Sequence, residues 1–372
     1  MTAAAVPLYL DANATEPLRP EARQALLAAL EVVGNPSSVH AAGRAARRLL
    51  EDAREALADR FGGEPGGLVF TAGGTEANAL ALAGLSPGRR VLVGATEHAA
   101  VLAAAPPEAA TVPVLPDGTA DLDALEAMLA ASGPPALVCL MAANNETGVL
   151  HPLAAIMELC RRHGALLHVD AVQAAGRVAL DAGAADSLAL SGHKLGGPAG
   201  AGALLLRPGL ALPALVRGGG QERGRRGGTE PLPAIAGFAA AAVAATLNTA
   251  ARLAALRARL EAAVLAATPE AVVVGAAAPE RLPNTTSLLL PGVPAEAQVI
   301  ALDLAGVRTS AGAACSSGKV ARSHVLAAMG LGPTASGSAL RVSLPWNAPE
   351  DAPERFAAAW AAMRARLSRR AA

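Results

Sequence analysis

Apolar and polar positions along the chain change their period several times, and those changes mark out its elements. Between about residues 66 and 206, short apolar runs alternate with longer segments of helical period. Gly67–Thr71, Arg90–Gly94, Ala136–Met141, Ala165–Asp170, Ser187–Ser191 and Ala201–Leu206 read as strands, apolar enough to be covered on both faces. Helical pattern runs from Thr75 to about Ala83 and from Ala154 to Arg162. This alternation predicts an α/β fold, a mainly parallel sheet with helices on both faces. Pro231 to about Ala267 is a nearly unbroken helical pattern with Arg252, Arg257 and Arg259 on its wet side, and predicts one long helix bridging two domains. From about residue 270 onward, short strands mix with helices as in a smaller α+β domain. No internal repeat is visible.

Composition then narrows the class. The chain has 372 residues, 52% hydrophobic and 17% charged, which is enough apolar material for a large core and too little charge for disorder. Thirty-one basic residues balance 31 acidic ones, so no net field favours nucleic acid or an anionic membrane. The first residues lack the pattern of a secretion signal, and no uncharged apolar run reaches the roughly 18 residues of a membrane span. Three cysteines, Cys139, Cys160 and Cys315, are too few and too far apart for a disulfide framework. A cytoplasmic protein is expected.

Only two of the basic residues are lysines, Lys194 and Lys319. Ser191-Gly-His-Lys194 sits just past a predicted strand, where open α/β sheets place ligands. A lysine there can be a solvated loop residue, yet in a chain that uses arginine almost everywhere else, a retained primary amine points to Schiff-base chemistry. Asp170 ends a buried strand, where a carboxylate is costly unless paired. A pyridinium nitrogen is one such partner; capping of the next helix is the alternative. Phe70-Thr-Ala-Gly-Gly-Thr75 runs from a strand through glycines into a helix start, a place for a phosphate. It is neither a Walker loop nor a dinucleotide fingerprint. His40, His151, His163 and His324 show no metal-ligand spacing, so no metal site is expected, and His168 reads as a core or second-layer residue. Cys139 lies in an apolar strand and Cys160 shares a helical face with Ile156 and Leu159, both core positions. Cys315 differs: Thr309-Ser-Ala-Gly-Ala-Ala-Cys315-Ser-Ser-Gly-Lys319 is a small-residue loop with little to pack, where a thiol is exposed and Lys319 can favour its thiolate.

Taken together, Tyr9–Thr15, Asn35–His40, Thr71–Glu76, Thr96–His98, Asn144–Gly148, His168–Gln173, Ser191–Lys194, Gly218–Glu222, Gly227–Thr229, Ala313–Ser317 and Arg341 occur in family order. They make the chain resemble the NifS/IscS-like cysteine desulfurases of the class V aminotransferase family over nearly its whole length. The resemblance implies the fold type I of pyridoxal 5'-phosphate (PLP) enzymes. It also implies a large PLP-binding α/β domain over 15–250 and a small α+β domain over 1–14 and 251–372, carrying the cysteine loop at about 309–324. Lys194 would carry the cofactor, Asp170 would pair with its ring nitrogen, Gln173 with its ring oxygen, and His98 would stack on its face and move protons. Gly74, Thr75, Ser191 and His193 would hold the phosphate, with Thr229 reaching a second subunit's phosphate in a homodimer. Asn145 would contact ring and substrate, and Arg341 would clamp the substrate carboxylate. L-cysteine would give L-alanine and a persulfide on Cys315, passed to an acceptor protein such as an iron–sulfur scaffold or sulfurtransferase.

Three departures from the family pattern stand out: Glu16 at a small hydroxyl position, Gly228 for a serine, and Leu344-Pro-Trp-Asn347 for a Gly-Arg-hydroxyl run. Rival readings are another class V enzyme, such as an aminotransferase, epimerase or selenocysteine lyase, or a non-catalytic scaffold. Arg217–Gly228 superficially suggests a nucleic-acid segment but has no aromatics for base stacking.

Overall fold

The computed structural model describes residues 6–312 and 322–371, so Cys315 and Lys319 lie outside the described residues. The chain opens with strand β1 (Leu8–Tyr9) and helices α1 (Pro20–Leu30) and α2 (Ala41–Arg60). Strands and helices then alternate: β2 (Leu68–Thr71), α3 (Gly74–Leu85), β3 (Arg90–Gly94), α4 (Ala99–Ala104), β4 (Ala110–Val112), α5 (Leu122–Ala130), β5 (Ala136–Met141), α6 (Leu153–Arg162), β6 (Leu166–Asp170), β7 (Ser187–Ser191) and β8 (Gly202–Leu206). These strands form one seven-stranded sheet in the order β2-β8-β7-β6-β5-β3-β4. β8 runs antiparallel to both of its neighbours, so the other six strands share one direction and end at one edge. The sheet is mainly parallel, as the alternation implies.

Side chains alternate across the sheet, which sorts its apolar residues into two cores. Leu92, Val138, Leu167, Val169, Leu188 and Leu205 face α2, α5 and α6, together with α7 (Leu232–Ala244). Val91, Val93, Leu137, Cys139 and Leu204 face α3 and α4. Gly202 lets β8 start tight against the turn after β2, since a Cβ there would stand 2.6 Å from the Gly73 Cα.

The predicted single helix over 231–267 is two helices. α7 ends at Ala244, and α8 (Ala250–Ala267) follows across a bend of 51°. The break falls on Thr246-Leu-Asn-Thr249, whose Thr and Asn side chains compete for backbone hydrogen bonds and favour non-helical conformations; Thr246 is extended. Apolar periodicity runs through the bend because both helices bury a face, each in a different core. Ile235 and Phe238 of α7 join the sheet core. Leu253, Leu256 and Leu260 of α8 join a further core with Leu8, Leu10, Phe356 and Trp360.

That further core belongs to the C-terminal elements: β9 (Val272–Val274), β10 (Thr285–Leu289), α9 (Ala295–Leu304), β11 (Val307–Arg308), β12 (Ser310–Ala311), α10 (His324–Ala328), α11 (Pro333–Ser336), β13 (Ala339–Ser343) and α12 (Ala352–Ala371). β12, β13, β10 and β9 form an antiparallel sheet in that order, and β1 pairs in parallel with β11. Residues 11–16 leave β1 and reach the large sheet, where the Glu16 N–H donates to the His193 carbonyl at 2.9 Å. Among the described residues, no single helix is long and apolar enough to cross a membrane.

Candidate active site

The shared strand edge gathers residues from the ends of five strands. Gly74 and Thr75 follow β2, His98 follows β3, Asn145 follows β5, Asp170 ends β6, and Ser191, His193 and Lys194 lie at the end of β7. All eight line one cavity of about 320 Å³, joined there by Gln173 and by Arg341 from β13. Ten residues singled out in the sequence thus converge on one space at the carboxyl edge of a parallel sheet.

At one wall, α3 points its N-terminus into the cavity. Its backbone bonding begins with Ala77, whose N–H donates to the Gly73 carbonyl at 3.1 Å, so the first-turn N–H groups of Gly74 and Thr75 lack partners within the helix and suit an anion. Gly74 has to be glycine because a Cβ would stand 2.6 Å from the Val172 side chain. Beside it, Ser191 Oγ and His193 Nδ1 lie 3.0 Å apart. Burial, with help from the Lys194 charge, pushes His193 down to about 4, so it faces the cavity as a neutral imidazole.

Asp170 lines the same cavity. Its oxygens accept from Asn78 Nδ2 at 2.7 Å and from the Val172 N–H at 3.0 Å, both neutral donors. Burial pushes its carboxyl above the usual range, and those bonds with the charges of His98 and Lys194 only partly offset the shift. Behind it, His168 sets Asn78: Nε2 lies 2.9 Å from Asn78 Oδ1, and Nδ1 lies 2.9 Å from Ser187 Oγ. Burial pushes His168 to about 4, so this support is uncharged. His168 is therefore the second-layer residue that the sequence suggests. A buried carboxylate backed by neutral groups and opening on a cavity suits a protonated ring nitrogen, and a helix N-terminus lining the same cavity suits a phosphate. The residues present fit PLP.

Lys194, which also lines the cavity, donates from Nζ to the carbonyls of Asn13 at 2.6 Å and Ala14 at 2.9 Å. His98 caps α4: its Nδ1 accepts from the Ala100 N–H at 3.1 Å, which in the neutral ring puts the hydrogen on Nε2. Burial lowers its pKa, followed by an opposing effect of Asp170 and a reinforcing one of Lys194. Arg341 is held by Asp11 Oδ1 at 2.8 Å and by the Asn145 carbonyl at 3.3 Å, while its buried Nε has no hydrogen-bond partner among the described residues.

One candidate stands apart from this cavity. Thr229 is exposed and does not line it. Cys315 lies outside the described residues, but the described ends of its segment converge: Ser323 Oγ donates to Glu146 Oε2 at 2.6 Å, and a Cβ on Gly312 would stand 2.8 Å from the same oxygen. Cys139 and Cys160 are buried, and burial pushes the Cys160 thiol up to about 12, so neither is a nucleophile. Sequence reading missed Asn13, Asn78 and Asp11, whose roles come through bonds to other site residues. Each lies in a segment already recognised, but nothing along the chain tells which neighbour it supports.

The class-V aminotransferase family matches residues 8–355. A cysteine desulfurase of Cereibacter sphaeroides is 47% identical over 352 residues, covering 91% of this chain and 90% of that protein. An IscS-like cysteine desulfurase of Mycobacterium tuberculosis is 40% identical, covering 90% and 91%. The solved NifS-like protein from Rickettsia africae superposes with a TM-score of 0.89 at 32% identity, covering 96% of this chain and 99% of that one. With this edge-of-sheet site and these relatives, the chain belongs to the class-V aminotransferase family.

Proposed function

We propose that the chain is a PLP-dependent cysteine desulfurase, which takes sulfur from L-cysteine onto its own Cys315 and releases L-alanine. The observation that carries this reading is the buried Asp170 opening on the same cavity as Lys194, one of two lysines in the chain. Lys194 would hold the cofactor through its amine, Asp170 at the ring nitrogen, Gln173 at the ring oxygen and His98 on the ring face. Gly74, Thr75, Ser191 and His193 would hold the phosphate, with Thr229 arriving from a second copy of the chain in a homodimer. When bound, PLP draws electrons from the substrate through its ring and so weakens the bond between the substrate β-carbon and sulfur.

The chain's own residues do the rest. Arg341 and Asn145 both line the cavity, and there Arg341 binds the substrate carboxylate while Asn145 orients the substrate. Lys194 Nζ carries the proton removed from the substrate α-carbon. His98 offers Nε2 to the substrate thiol, because its Nδ1 is engaged by the Ala100 N–H. The Cys315 sulfur then attacks the substrate sulfur. The carbon–sulfur bond breaks, a sulfur–sulfur bond forms, and the β-carbon takes a proton, so that L-cysteine and a thiol become L-alanine and a persulfide. In this reading the persulfide passes to an acceptor protein, an iron–sulfur scaffold or a sulfurtransferase. The setting is cytoplasmic, in keeping with the free thiols of Cys139 and Cys160.

Incubating the holoenzyme with L-cysteine should give alanine, with one added sulfur on Cys315 by peptide mass spectrometry. Cys315→Ala should keep the cofactor's colour and lose turnover. Alanine and sulfide formed by that variant at the wild-type rate would replace this reading with another class V reaction.

A further inference from the structure

Two of the departures that look unrelated along the chain, Glu16 and Leu344–Asn347, meet in space. Glu16 is buried and divides its carboxylate: Oε1 accepts from the Trp346 N–H at 2.6 Å, and Oε2 pairs with Arg177 Nη2 at 3.0 Å. The Trp346 ring is fixed as well, donating from Nε1 to the Pro17 carbonyl at 3.0 Å and lying under the Arg19 guanidinium at 5.0 Å. Arg177 is itself buried, and its Nη1 donates to the side-chain Oε1 of Gln173 and, at 3.2 Å, to the Gln173 carbonyl. Gln173 Nε2 donates to the Asn13 carbonyl at 3.0 Å.

We infer that Glu16 is a positioning residue, which through Arg177 fixes the amide of Gln173 with its N–H donors turned to the Asn13 carbonyl and the cavity. A guanidinium offers only donors, so it holds the oxygen end of the amide. Turning the amide over would set donor against donor at Arg177 and acceptor against acceptor at Asn13, with both hydrogen bonds lost. One amide hydrogen serves Asn13, and the second remains for the cavity that Gln173 lines. Arg177 can do this while buried because Glu16 neutralises it. Glu16 in turn is placed by the backbone N–H of Trp346. The two departures are one compensated unit at the rim of the site.

This inference rests on the reading that Gln173 donates to the ring oxygen of PLP. A donor there stabilises negative charge on that oxygen, so losing it should raise the midpoint of the pH-dependent change in the bound cofactor's absorption. The test compares that midpoint in the wild-type holoenzyme, Glu16→Leu, Gln173→Ala and the double variant. Both single variants should raise it by about half a pH unit or more, and Glu16→Leu should add nothing once Gln173 is alanine. An unmoved midpoint in Gln173→Ala would remove Gln173 from the ring oxygen. A shift in Gln173→Ala without one in Glu16→Leu, or a Glu16→Leu shift that persists without Gln173, would overturn the positioning role alone. Should an unpaired Arg177 keep Glu16→Leu from folding, Glu16→Leu/Arg177→Met removes both charges and should give the same upward shift; an unchanged midpoint there would likewise overturn it.

Discussion

Asp170 and Glu16 are both buried carboxylates within the same site region, but they are supported in opposite ways. Asp170 accepts hydrogen bonds from an amide and a backbone N–H, and the group behind the amide is a neutral histidine. Glu16 is paired directly with a buried arginine. A carboxylate given its own cation has its charge spent within the protein and can only hold other groups in place. One given neutral donors stays poised for a cation from outside, at a cost in stability that burial makes large. The contrast separates the residue that meets the cofactor from the residue that arranges its neighbours.

Three changes test that contrast, in order of expected effect. Asp170→Asn keeps the shape and removes the charge, and the measured rate of alanine formation should fall by roughly a hundredfold or more while colour is retained. A loss under tenfold would place Asp170 with Glu16 as a structural group. Next, Arg54 and Glu222 form a second buried pair of the Glu16 kind, bonded at 2.8 Å through Nη1 and at 2.8 Å through Nη2, with Glu222 also accepting from the Phe70 N–H. Glu222 and Arg223 are held there at positive φ, 48° and 58°, a conformation that neither residue type favours. Glu222→Ala should therefore cost about 3 kcal/mol in denaturant unfolding, since it leaves the buried Arg54 with only Glu51 and the Leu68 carbonyl as partners and puts alanine at a positive φ. The smallest effect concerns pH. His151 and His168 are both pushed down to about 4 by burial, from 6.5. The unfolded chain binds protons on them near 6.5 that the folded chain refuses until about 4, so stability present above 6.5 is lost as pH falls. Unfolding free energy should drop by roughly 2 kcal/mol more between about pH 6.5 and 5.5 than it does in a variant lacking both rings, where His193 and His98 still contribute a slope.

Much of this was legible along the chain because buried parallel strands are short apolar runs and because chemistry at their ends needs specific groups. Arg90–Gly94, Ala136–Met141 and Ser187–Ser191 have the bounds that pattern gives, and the residues that follow them are those that line the cavity. The bend at Thr246–Thr249 was not legible, since apolar periodicity continues through a break when both helices are buried. Asn78 and Arg177 were missed for a different reason. Their roles lie in hydrogen bonds to residues 92 and 4 positions away, and a polar side chain carries no mark of which partner it will meet. Glu16 and Trp346 were visible as exceptions, 330 positions apart, and only their contact explains them together.

The account depends most on Lys194 being the residue to which PLP is joined. Reducing the holoenzyme with borohydride should fix the cofactor permanently to its lysine, and peptide mass spectrometry should then find the adduct on the peptide containing Lys194. With Lys319 the only other lysine, the alternatives are few. An adduct on Lys319, or none on either lysine in a protein saturated with PLP, would contradict the account.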